Sequence, residues 1–382
     1  MTTEGGQPVK EVTSDAQGAW DVQVDKPGKY KVTLDPGSLP PNSQVRGGNN
    51  VRTPTVYEGN CSTVLFALEA KGAANNPQQG DGGSGGESSF WTQAAQLTFE
   101  GFNLGLIIAL GALGLSLIYG TTGLTNFAHG ELITLGAVLA YAFNVGFGLQ
   151  LIPAAVIAVV LAGALGYGQD RLFWGQLRKR GTGTIAMMII SIGVAILLRN
   201  LIQFFFGPQT ETYTDYNTQA GIQLGPISAA PKNLWAMAIE LAVLVVVGLA
   251  LMKTRTGKAA RAVSDNPALA ASSGINVDRV IRIIWTVGAA IAALAGIMLG
   301  LSQSLKFTMG QDILLLIFAG VTLGGLGTAF GALVGSLVVG VFIQVSTLWV
   351  PPELKSVGAL VVLIIVLLFR PQGILGRRER IG

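Results

Sequence analysis

From residue 97 onward the chain is a succession of apolar runs, most of them about 20 residues long, separated by short polar segments. This repetition limits the fold more than any other feature. A run of that length crosses ~30 Å of hydrocarbon as a helix, which satisfies its own backbone hydrogen bonds where no water is present. Spans are read near 97–118, 128–148, 151–169, 183–206, 233–252, 283–303, 312–326, 329–349 and 356–370; the run 312–326 is short and glycine-rich. The expected class is an all-α polytopic membrane protein, with about eight or nine transmembrane helices and a small N-terminal β-sandwich-like domain. Composition agrees, with 50% hydrophobic residues, 12% charged and mean hydropathy +0.53. Charge is concentrated at the start: the first 96 residues hold 7 of the 25 Lys and Arg and 10 of the 21 Asp and Glu. The net charge of +4 therefore bears on membrane orientation and gives no reason to expect a nucleic-acid partner.

Residues 1–70 read as the small β domain. Segments 19–24 and 30–34 alternate in polarity around the turn Lys26-Pro27-Gly28-Lys29, and 63–68 reads as a last strand. The spacing G-x-W-x-x-x-V-x-x-x-G-x-Y-x-V-x-L resembles transthyretin-like or carboxypeptidase-regulatory-like modules of cell-envelope proteins. Residues 71–96 are a Gly/Ser/Asn-rich linker, and 97–382 form the transmembrane domain. The single cysteine, Cys61, excludes an intrachain disulfide and reads as inert packing. The first ten residues are polar and show no secretory signal. Export of the β domain would then rest on the first span acting as a reverse anchor, or on a start upstream of Met1.

Fourteen basic residues fall in three polar segments: Arg171 to Arg180, Lys253 to Arg282, and Arg370 to Arg380. The loops on the other side hold Lys232, Lys306 and Lys355. The positive-inside bias puts the 253–282 loop and the C-terminus in the cytoplasm of a cell-membrane protein. Nine crossings then leave the β domain outside.

No constellation for catalysis is visible. One histidine, His129, leaves no basis for a metal cluster or a His-dependent triad, and there is no phosphate-binding loop. The chain is read as a transporter subunit without its own ATPase site, cofactor or metal. Segment 120–131 places Asn126, His129 and Glu131 at the start of an apolar helix. Ionisable groups at that depth mark a translocation path. The spacing alone favours a simpler reading, in which Asn126 caps the helix while His129 and Glu131 sit at the membrane interface. Glu240, inside the fifth span, either lines the path or pairs with Arg199. The run around Gly324, Gly325 and Gly327 is either a break between discontinuous helices near the substrate path or a tight turn between ordinary spans.

The loop 253–282 contains a short capped helix: Asn266 at the N-cap, Pro267 in the first turn, then Ala268, Leu269 and Ala270, with Gly274 as the stop. A solvated basic connection would explain the arginines and lysines. It would not explain a cap, helix and stop, which suit a surface presented to a soluble partner.

Segments 120–131 (GTTGLTNFAHGE), 253–282 (with GINVDRV), 319–331 (AGVTLGGLGTAFG) and the ending FRPQGILG together resemble the permease subunits of branched-chain amino acid ABC importers, in particular the H-type subunit of the leucine/isoleucine/valine system. The resemblance implies a second homologous permease, two cytoplasmic ATP-binding subunits, an extracytoplasmic solute-binding protein and a lipid environment. It also implies that 253–282 is the ATPase-docking loop, although Ala268-Leu269-Ala270 stands where the family signature has Glu-Ala-Ala. The external loop 207–232, with Glu211 and Asp215, is the expected docking side for the binding protein. Urea or short-chain amide import is the alternative within the class, and an ATP-independent secondary transporter or channel the alternative outside it.

Overall fold

The computed structural model describes residues 90–216, 219 and 221–350, with isolated positions 357, 358, 361, 364, 368 and 373 beyond them. Of the N-terminal part it describes 2–3, 9–14, 20, 22, 24, 28–39, 43–45, 50–53, 55–56, 66 and 68–70. The chain divides into two units, Met1–Gly85 and Gly86–Gly382.

In the first unit, β1 (Thr2–Thr3), β2 (Gly28–Thr33), β4 (Val51–Arg52) and β5 (Thr55–Val56) form one antiparallel sheet around β2, while β3 (Ser43–Val45) pairs with β6 (Leu68–Ala70). Tyr30 and Val32 are buried while Lys31 and Thr33 face out, the period-two pattern of a half-buried strand. Of the hairpin expected between 19–24 and 30–34, residues 19, 21, 23 and 25–27 lie outside the described residues. Trp20, Val22 and Val24 lie outside strands, and β2 pairs with β1 on one edge and with β4 on the other. Most of the strand expected at 63–68, and Cys61 with it, lies outside the described residues.

The second unit is helical. Among the described residues six helices are long and apolar enough to cross a membrane. They are α1 (Phe90–Thr122), α3 (Leu151–Gln169) with its continuation to Lys179, α5 (Thr184–Phe206), α6 (Pro231–Lys253), α9 (Val277–Ser302) and α11 (Ala329–Ser346). Two of the expected spans are shorter helices. The first, α2 (His129–Tyr141), runs on into a π-turn, Ala142–Gly146; the second, α10 (Met309–Gly324), covers about 24 Å at 1.5 Å per residue. The basic segment after α3 is also helical, through a π-turn at Asp170–Trp174 and α4 (Gly175–Lys179). The span expected at 356–370 lies largely outside the described residues.

Helix α1 is the axis of this unit. Its apolar window is 94% buried and that of α9 72%, against 33% for α3, 22% for α5 and 17% for α6. A helix buried on all sides needs small residues where its neighbours cross. A methyl group on Gly105 would press on Leu337 of α11, and one on Gly114 would meet the Gly288 carbonyl of α9. At the α2–α9 crossing a Cβ on Gly296 would collide with the Ile133 carbonyl. Between α9 and α10 the chain passes Leu305, whose backbone exchanges two hydrogen bonds with Glu211 (3.0 and 2.8 Å). A small hairpin of β7 (Ile222–Leu224) and β8 (Ile227–Ala229) precedes α6.

Candidate functional site

The segment between α1 and α2 is non-helical, yet it lies within the helical bundle. His129, the first residue of α2, places Nε2 2.9 Å from the Gly111 carbonyl. Gly111 lies eleven residues before the end of α1, about 16 Å along its axis. The chain thus doubles back beside α1 before α2 starts, and its polar backbone must be satisfied without water. Thr122 Oγ1 accepts from the Leu124 N–H (3.2 Å), and Ser191 Oγ of α5 accepts from the Phe127 N–H (3.0 Å). Asn126 Oδ1 accepts from the Ala128 N–H (3.1 Å), and the Asn126 carbonyl from the His129 N–H (3.2 Å). The Phe127 ring packs on Phe318 of α10 at 5.2 Å.

This geometry corrects the capping reading. The N-cap of α2 is Ala128, without a side-chain cap, and Asn126 supports the turn ahead of it. His129 and Glu131, read from the spacing as interface residues, are 0% and 1% exposed within the bundle. Two residues apart on a helix, they face different neighbours. His129 points at α1, while Glu131 Oε1 accepts from Arg199 of α5 through Nη2 (2.8 Å) and Nε (3.1 Å). Glu131 Oε2, His129 Nδ1 and Asn126 Nδ2 have no partner among the described residues. The first turns of α2 and α10 lie together: the Gly310 N–H donates to Thr134 Oγ1 (3.0 Å), and Gly130 and Gly310 leave no room for a side chain between them. Both helices begin here with their positive ends and with a carboxylate in the first turn, Glu131 and Asp312.

Glu240 stands apart. It is fully buried in α6, neither carboxylate oxygen has a partner among the described residues, and the suggested pairing with Arg199 is not made, since that guanidinium is on Glu131.

Gly324, Gly325 and Gly327 belong to a tight turn between α10 and α11, not to the 126–131 cluster. Gly325 and Gly327 have φ of 113° and 78°, values that favour glycine, and Thr328 Oγ1 donates to the Gly325 carbonyl (2.8 Å). A Cβ on Gly324 would collide with the Gly331 carbonyl, so the helices meet backbone to backbone. The turn lies beside Gly120 near the end of α1, which is also in reach of Ser264.

The loop 253–282 holds two helices where one was expected. The additional one, α7 (Arg255–Asp265), is capped by Thr254, whose Oγ1 accepts from the Gly257 N–H at 3.0 Å. Its buried residues Gly257, Ala260 and Val263 recur every three positions, a signal legible in the sequence but masked by the intervening basic side chains Lys258 and Arg261. The second, α8 (Pro267–Ser272), has Asn266 Oδ1 accepting from the Leu269 N–H (3.0 Å) and Pro267 in its first turn. It ends with Gly274 at φ +83° and the Ile275 N–H on the Ala270 carbonyl (3.1 Å). Ala270 is the one buried residue of α8; Ala268 and Gly274 are exposed, and Leu269 is 64% exposed. Ala270 belongs to a cluster with Ile118 of α1, Leu124, Val263, and the stacked pair Trp174 and Trp285 (5.6 Å).

On the far side of the bundle the two carboxylates of the 207–232 loop are engaged internally. Glu211 Oε2 accepts from the Tyr141 hydroxyl (3.1 Å). Asp215 Oδ2 accepts from the Leu151 N–H (2.8 Å), at the start of α3, and from Asn144 Nδ2 (2.9 Å).

Residues 97–367 match the family described as branched-chain amino acid transport system / permease component. The chain is 31% identical over 301 residues to the high-affinity branched-chain amino acid transport system permease protein LivH of Escherichia coli, covering 74% of this chain and 96% of that one. It is 31% identical over 302 residues to BraD of Pseudomonas aeruginosa, with the same coverage, and 28% identical over 240 residues to the ribose import permease protein RbsC of Escherichia coli, covering 61% and 72%. No solved structure matches the chain.

Proposed function

The chain belongs to the branched-chain amino acid transport permease family, and from that premise we propose that it is the membrane subunit of an ATP-driven importer for branched-chain or related amino acids. Its partners are a second homologous permease, two cytoplasmic ATP-binding subunits and an extracytoplasmic solute-binding protein. Residues 97–382 form the permease domain with eight or nine crossings, counting α2, α10 and the C-terminal segment. The 1–70 β-sandwich-like module and the C-terminus lie on opposite sides of the membrane, the C-terminus inside.

One observation carries this reading. Helix α8 presents an exposed crest around Leu269 while rooting Ala270 in a core shared with Ile118 and Leu124, on the chain that leads to α2. A push on that crest by an ATPase reaches the 126–131 segment through packed side chains. Asn126, His129, Glu131 and Glu240 are the path residues in this proposal. The turn at Gly324, Gly325 and Gly327 sits near α7 and belongs to the coupling side.

The test is a Leu269→Glu variant, which leaves Ala270 and the core untouched, reconstituted with its ATP-binding and solute-binding partners. Membrane insertion should be normal and leucine uptake lost at least about tenfold, while ATP hydrolysis no longer responds to loaded binding protein. Unchanged leucine uptake would remove α8 as the coupling element. Uptake of urea in place of leucine by the unmodified complex would overturn the substrate class.

A further inference from the structure

Helix α5 carries a polar group where its surroundings are apolar. Its inner face, Met187, Ser191, Ala195 and Ile202, is buried, and Ser191 and Arg199 tie the helix to the 126–131 segment through the Phe127 N–H and Glu131. The opposite line, Ile185, Ile189, Gly193, Ile196, Asn200 and Phe204, recurs at spacings of three and four and is exposed along its whole length. Asn200 lies six residues before the end of α5, about 9 Å along its axis, and Phe204 and Phe205 beyond it are 80% and 82% exposed. The apolar surface therefore continues past Asn200. Its Nδ2 donates to the Ile196 carbonyl of its own helix (2.7 Å), and its Oδ1 has no donor among the described residues. An amide oxygen facing hydrocarbon is costly, and acyl chains supply no donor. Gly193 lies two turns before Asn200 on the same face, and a Cβ there would meet nothing within 4 Å. A helical glycine with no contact to protect costs stability relative to alanine, unless another backbone comes close to it.

We propose that this line of α5 is the surface on which the second permease subunit packs, with Asn200 hydrogen-bonded to a polar side chain of that subunit at the same depth. The partner itself comes from the importer reading, on which this assignment rests. Two homologous subunits side by side in one membrane are related by an axis along its normal, so their equivalent helices run in the same direction and present the same face. Asn200 then meets its counterpart. An amide with one free N–H and one free oxygen is self-complementary, so an amide side chain across the axis completes both bonds. Gly193 lets the two backbones approach, and the isoleucines flank them. Arg199, next to Asn200 in the chain, has a side chain 22% exposed and holds Glu131 on its inner side. Packing on α5 thus closes a protein wall over the Glu131–Arg199 pair, which one subunit alone leaves partly open.

The test uses the full-length chain co-expressed with the second permease and the ATP-binding and solute-binding partners. Gly193→Leu and Asn200→Leu should each weaken association of the two permeases about tenfold, read by native mass spectrometry of the extracted complex over a dilution series. Each variant expressed alone should insert and melt as the unmodified chain does, because Gly193 has open space around it and Asn200 hydrogen-bonds only within its own helix. In a Cys61→Ser background, Ile196→Cys should cross-link to a cysteine at the aligned position of the second permease. Unchanged association in both variants would overturn the interface. So would a lower melting temperature of the variants expressed alone, which would place this face in the subunit's own packing. A cross-link between two copies of this chain in place of the second permease would overturn the occupant. Paired permeases that take up no leucine would sink the importer reading and leave the interface standing.

Discussion

The pair Glu131–Arg199 and the lone Glu240 are opposite solutions to the same problem, a carboxylate buried in an apolar bundle. Glu131 takes two N–H bonds from one guanidinium, whereas Glu240 has no partner among the described residues. Removing one member of a buried pair strands the other charge, while replacing an unpaired buried carboxylate removes a cost. Glu131→Gln should therefore destabilise the protein by about 3–5 kcal/mol, and Glu131→Gln combined with Arg199→Gln should recover part of that loss. Glu240→Leu should stabilise it by about 1–3 kcal/mol and at the same time reduce uptake. Thermal unfolding in nanodiscs, read beside leucine uptake, checks both directions. A Glu240→Leu protein that imports normally would take Glu240 out of the path.

At the scale of elements, glycine decides which helices can touch. Gly296 of α9 lies against the Ile133 carbonyl of α2, whereas a Cβ on Gly193 of α5 would meet nothing within 4 Å. The two substitutions should separate cleanly. Gly296→Leu is expected to cost at least about 3 kcal/mol, since neither backbone can yield without moving a helix. Gly193→Ala should be neutral or stabilising by about 0.5–1 kcal/mol, the helix-propensity difference alone. Urea or thermal melts of the two variants measure the contrast, and equal losses would show that the α2–α9 contact is not the tight one. The same principle accounts for the glycine turn after α10: its two positive-φ residues let α10 and α11 pack backbone to backbone, and no discontinuous helix is needed.

For the whole molecule the prediction concerns sidedness. In a Cys61→Ser background, a cysteine at Ala271 of α8 should react with a membrane-impermeant maleimide from the cytoplasmic side alone. Cysteines at Gln223 of β7 and Lys31 of β2 should react from the outside alone. All three positions are exposed, so failure to label on the expected side reports topology and not burial. Labelling of Lys31→Cys from the inside would require an even number of crossings between the β module and the C-terminus.

Apolar run length, charge asymmetry and capping chemistry are local properties, and each was readable from the chain itself. They determined that the chain is a multi-pass membrane protein, approximately where α3, α5, α6, α9 and α11 lie, and that Asn266 and Gly274 bracket a short helix. Partners were not readable, because contacts such as Glu131 with Arg199 join residues 68 positions apart, and nothing local distinguishes that pairing from Glu240 with Arg199. The starting depth of α2 depends on the Gly111 carbonyl of a neighbouring helix, and the engagement of Glu211 and Asp215 on Tyr141 and the start of α3. A hydrogen bond in an apolar interior goes to whichever group packing brings within about 3 Å. That choice belongs to the assembled bundle.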